Sequence, residues 1–326
     1  MTSSNSALNV LNDVIAVNLH VSIWTGRKML EDSDLSLSGE APPREIINLG
    51  SKHTTDPKAL KVFHTLKRRA ERLCLSVGIP FLGGYAIPTS KADDVAKELA
   101  KIMAQFEVEK QKYLQKHADI QDDWISKFPA YEAILRKALT ETCDVEKRIN
   151  AAYSMFQIKS AQLDSSIDTG LSSQVESLSG SLEDDVLKNA KKLLESLTGA
   201  IRPSQTNVNS LKKLREKVEG LAFLNSRFDT LIKKIVHIEQ QMPLTGKLSI
   251  DETNLLSGLL HRMSTKANLT SLMNDLTTVE QDSVQPQQSF TPTSDDSEID
   301  LSNDCDFGDF ETPQKSISPT EKSVFF

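Results

Sequence analysis

Residues 78–90 read GIPFLGGYAIPTS, with three glycines, two prolines and two aromatics between long helical patterns. Two short apolar arms, Ile79–Leu82 and Tyr85–Ile87, flank Gly83-Gly84, a spacing that predicts a tight hairpin. Pro80 and Pro88 have no N–H for a ladder, which predicts edge positions. Gly78 follows the last turn of the preceding helical pattern, where a left-handed cap favours glycine. Ser90 and Asp93 have the spacing of a capping box for the next helix. The stretch is therefore read as a connector between two helices. Gly83-Gly84 fits neither the P-loop pattern nor the three spaced glycines of a dinucleotide fingerprint, so it is read as structural.

Upstream, Val17, Leu19, Val21 and Ile23 alternate with Asn18, His20, Ser22 and Trp24. Period two predicts a strand with one buried face, and the hairpin is the expected partner of residues 14–24. Asp56 and Pro57 then suit the start of a helix running to Val77. Leu60, Phe63, Leu66, Ala70, Leu73, Cys74 and Val77 form its apolar stripe. Lys58, Lys61, Arg68, Arg69 and Arg72 gather opposite, with Glu71 to one flank. That basic stripe has two readings, a solvated face and a phosphate-contacting one. No aromatic is interleaved with it, so base stacking is not indicated.

Downstream, residues 90–128 read as one helix of roughly 55 Å at 1.5 Å per residue. Pro129 ends it, and residues 130–158 are read as a helical return leg. Leu211 to Ile238 step by three and four with Asn225 in the seam, and residues 250–280 supply a last helix. The expected fold is mainly α: a helical bundle with a long helical hairpin or coiled-coil arm, plus a small β element of N-terminal strand and Gly-Gly hairpin. The expected organisation is a disordered 1–13, an α+β domain at 14–164 with the arm, a helical bundle at 165–281 and a disordered acidic tail at 282–326.

Dividing the net charge of −7 locates it. Residues 282–326 hold ten acids and two bases, leaving 36 bases and 35 acids in the rest. The tail is rich in Ser, Thr, Pro, Asp and Gln, a composition that cannot bury enough apolar surface to order itself. It also sets Phe307 and Phe310 among acids and ends on Phe325 and Phe326, a pattern suited to docking in a partner's pocket. No run approaches the ~20 apolar residues of a membrane span, and the N-terminus lacks the features of a signal peptide. Cys74, Cys143 and Cys305 make no disulfide framework or metal spacing. A cytoplasmic location without membrane or cofactor is expected, with the oligomeric state open.

The motifs of common hydrolases and metalloenzymes are absent, and the six histidines are scattered. No catalytic, cofactor or metal residue is assigned, and the expected protein is not an enzyme. The segments VNLHVSIWTGRKML and LGSKHTTDPKALKVFHTLKRRAERLCLSVGIPFLGGYAIP, with Trp124 beyond them, resemble an uncharacterised family of unknown function over residues 14–160. That family is carried by bacterial phages, plasmids and integrative conjugative elements, often near genes for a CobS/MoxR-like AAA+ ATPase. The resemblance implies an interaction or adaptor protein, with such an ATPase as partner. The alternative is a nucleic-acid-binding accessory protein that uses the basic helix at 57–77.

Overall fold

The computed structural model describes residues 10–31, 50–159, 169–199 and 203–274. All lie in one compact unit that runs to Thr277. The hairpin forms where the sequence places it, between β4 (Ile79–Phe81) and β5 (Gly84–Pro88). Phe81 pairs with Gly84, so the turn residues are Leu82 and Gly83. Their φ values, +47° and +75°, are both left-handed, as a two-residue type I′ turn requires. Leucine at such a φ costs roughly 1–2 kcal/mol.

The hairpin joins β1 (Val14–Ser22), whose other edge takes β6 (Asn150–Phe156). The antiparallel order is β4-β5-β1-β6. Pro80 lies on the edge strand as expected, whereas Pro88 closes an interior one. A separate ribbon pairs β2 (Arg27–Met29) with β3 (Ser51–His53).

Two cores meet at the sheet. On one face, Val17, Ile87, Leu19, Val21, Tyr85, Tyr153 and Met155 pack against α1 (Lys61–Val77) and α2 (Thr89–Gln115). From these helices come Phe63, Leu66, Ala70, Leu99, Ile102 and Phe106, all buried. Pleating turns alternate residues the other way. Val14, Ala86, Ile79 and Phe81 therefore enter a second core with the helical bundle. The bundle comprises α6 (Thr169–Thr198), α7 (Gln205–Gly220), α8 (Arg227–Gln240), α9 (Ile250–Met263) and α10 (Lys266–Asn274). Farther along β1 this second face turns polar, and His20 Nε2 meets Ser154 Oγ across the strands at 3.1 Å.

The mainly α fold with a small β element is thus observed, with local corrections. Residues 90–128 are not one helix. The backbone leaves helical geometry at Lys116 (φ −105°, ψ 2°), and α3 (His117–Ser126) follows. The helical return leg read over 130–158 is instead α4 (Glu132–Lys137), α5 (Thr142–Arg148) and strand β6. The free edge of β1 recruits that segment, which places Tyr153 opposite Leu19 and Met155 opposite Val17.

Gly78 is extended (φ −128°, ψ −177°) rather than left-handed. It is needed because a Cβ there would lie 2.3 Å from the Ala86 carbonyl oxygen. No capping box forms at Ser90; one forms at Ser249 and Glu252, opening α9. Asn225 sits in the turn between α7 and α8, not in a seam. It donates to Ser179 Oγ and accepts the Arg227 backbone N–H.

Candidate functional site

The segments quoted for the family resemblance converge on one corner. Asp56 accepts the Lys58 N–H at 2.9 Å and opens a 3-10 turn, Pro57–Leu60, that leads into α1. This bond comes first in holding the Asp56 carboxyl below its usual range, with help from Lys127. Thr54 donates its backbone N–H and its hydroxyl to the Gly26 carbonyl at 2.8 and 3.2 Å. Gly26 has φ +63°, and a Cβ on it would strike Thr55 Cγ2 at 2.5 Å. Trp124, on α3, donates its indole N–H to the His53 carbonyl at 3.1 Å, and Lys127 reaches Asp56 at 3.3 Å. Two loops and a helix far apart in sequence thereby form a rigid frame.

Beneath that frame is a histidine that sequence reading passed over. His117 is 1% exposed, with the Trp24 ring edge-on at 5.3 Å. Trp24 stands beyond the end of β1, so strand alternation does not apply and it turns inward. Since a carbonyl only accepts, His117 Nε2 must donate to Thr140 O at 3.1 Å. Nδ1 then accepts from the Tyr113 hydroxyl at 3.3 Å. The i, i+4 spacing of Tyr113 and His117 on an otherwise apolar helix face was the available signal.

Burial pushes the His117 pKa below its ordinary value, and the bond to Thr140 only partly opposes this. A folded pKa below the unfolded one means that the unfolded chain binds the proton more readily. The contribution to stability is therefore complete above about pH 6.5, the ordinary histidine value, and is lost as pH falls through the folded pKa. Thermal midpoints from pH 7.5 to 5 should fall more steeply for the native chain than for His117→Gln. Equal slopes would contradict this assignment.

Above the frame, aromatics face solvent. Phe128 packs edge-on to Trp124 at 4.9 Å yet is 40% exposed, and Tyr131 is 60% exposed. Lys127 stands 5.7 Å over the Trp124 ring. Large aromatics at the surface on a fixed support are what interface centres are made from.

The five basic residues singled out from the sequence are all exposed but do not form one row. Lys61, Arg68 and Arg72 align on the outer face of α1, at 100° per residue. Arg69 turns toward α2 and donates to Gln105 Oε1 at 3.2 Å. Lys58 lies in the preceding turn. Lys61, Arg68 and Arg72 make no ion pair with the described residues. Among the described residues, no group of three His, Cys, Asp or Glu could hold a metal ion. Cys74 is buried, and desolvation raises its thiol pKa to about 11. No described helix is long and apolar enough to cross a membrane. Phe307, Phe310, Phe325 and Phe326 lie outside the described residues.

These features define a mainly α protein in which a small antiparallel sheet separates two cores and one corner presents aromatics. The chain belongs to the family described as Protein of unknown function (DUF3150), whose model matches residues 11–265. No curated protein and no solved structure matches it.

Proposed function

We propose that this chain is a non-enzymatic interaction or adaptor protein of a mobile genetic element, and that its partner is a CobS/MoxR-like AAA+ ATPase. The observation that carries the reading is the aromatic corner. Phe128 and Tyr131 are held out to solvent by a frame fixed through Trp124, His53, Lys127 and Asp56. Exposing large aromatics forgoes burial free energy, and a partner surface recovers it. The ATPase and the mobile-element setting come from the family resemblance.

The test is affinity capture of the full chain from its native host after nuclease treatment. An AAA+ ATPase should be recovered by the native chain, and Phe128→Ala with Tyr131→Ala should reduce recovery at least tenfold while circular dichroism shows the fold retained. Capture that is indifferent to both substitutions and to loss of residues 282–326 would remove the reading.

A further inference from the structure

The basic row on α1 does not end with the helix. Leu75 and Ser76, in its last turn, form one wall of an open cleft of about 350 Å³. The other walls are Asn189, Lys192, Leu193 and Ser196 of α6 and Ser210, Lys213, Leu214 and Lys217 of α7. Arg72 lies one turn before Leu75 and Ser76, between them in helical angle. Lys61 to Ser76 spans roughly 22 Å of helix. The positions Lys61, Arg68, Arg72, Lys192 and Lys213 thus form a track of five cations that leads into the cleft.

Two details separate this track from an ordinary solvated face. First, the cation that belongs to the fold is already committed. Lys217 is 6% exposed and gives its ammonium to Leu75 O and Asp185 Oδ2, both at 2.7 Å. Asp185 also accepts from Asn189 Nδ2 at 2.9 Å, so the carboxylate beneath the floor is occupied. Second, Lys192 and Lys213 are exposed and make no ion pair with the described residues. Glu195 and Glu216 follow these lysines by three residues, about 60° round their helices, and pair with neither of them.

We infer that this cleft, with the α1 row leading into it, is a binding track for the phosphodiester backbone of a nucleic acid. Lys192 and Lys213 would take phosphates in the cleft, and Lys61, Arg68 and Arg72 would take those outside it. A linear, single-sign row with no aromatic suits contact with the backbone rather than base readout. The Ser76 and Ser210 hydroxyls give their protons to Leu73 O and Thr206 O, leaving Lys192 and Lys213 as the charged donors in the cleft.

The experiment is fluorescence anisotropy of the full chain with a labelled 20-base-pair duplex and the matching single strand, titrated with salt. Binding to at least one probe should weaken linearly in log-log form. Lys192→Gln with Lys213→Gln should weaken it about tenfold and reduce the salt slope by about 2, near 1 per lysine. Arg68→Gln with Arg72→Gln should do the same, which provides a second reading if the first variant folds poorly. No binding to either probe would overturn the inference. So would binding indifferent to the cleft pair, or competition by poly-glutamate as strong as that by DNA of equal charge; the last would assign the track to an acidic protein.

Discussion

Gly84→Ala should cost about 2–3 kcal/mol, the scale of overpacking a filled interior. The backbone at Gly84 is not left-handed, so conformational freedom is not the reason. A Cβ there would lie 2.0 Å from Asn18 Oδ1 and 2.4 Å from the Val17 carbonyl oxygen. The Asn18 side chain can move, but the carbonyl belongs to the β1 ladder and cannot. The hairpin must therefore separate from β1 or bend. Gly83 makes the opposite case. Its φ is +75°, but a Cβ would meet nothing within 4 Å, so Gly83→Ala should cost only about 1–2 kcal/mol of backbone strain. Chemical denaturation measures both. A larger loss at Gly83 than at Gly84 would show that turn geometry, not close strand approach, governs this segment.

Lys217→Met should cost about 2–4 kcal/mol. Breaking a buried pair by removing one partner commonly costs 3–5 kcal/mol; the Asp185 side chain is 21% exposed and keeps Asn189, which lowers the figure. Lys217 is also the polar tie between the two sides of the molecule. It leaves α7, reaches the last turn of α1 through Leu75 O and anchors α6 through Asp185. Adding Asp185→Leu should recover most of the loss, because an apolar pair of similar volume removes the stranded carboxylate. A single variant as stable as the native chain would mean that water replaces the ammonium at no cost.

The sequence made β1, the hairpin and α1 legible because each carries its own period. Valine and leucine alternate in β1, and Phe63, Leu66, Ala70 and Cys74 step around α1. Strand β6 carries the opposite local signal. Asn-Ala-Ala-Tyr-Ser-Met-Phe contains good helix formers, and it becomes a strand only because β1 has an unfilled edge nearby. The break at Lys116 has no glycine or proline to announce it. The basic residues of α1 are visible in the sequence, but position alone does not separate Arg69, which faces α2, from its neighbour Arg68. The aromatic corner depends on Trp124 meeting His53 and Lys127 meeting Asp56, pairs 71 residues apart. The cleft draws on three helices, and no local pattern joins them.

The sheet carries residues of both cores on its two faces, so the two should unfold as one cooperative body. Trp24 and Trp124, the protein's two tryptophans, both report on the side built by α1, α2 and α3, whereas far-ultraviolet dichroism sums the helices of both sides. Equilibrium unfolding of the native chain and of Gly84→Ala, followed by both signals, tests the claim most directly. Coincident transitions in each protein, both shifted to lower denaturant in the variant, are the predicted result. Separate transitions in the native chain, or a Gly84→Ala shift seen by only one signal, would show that the two cores unfold independently.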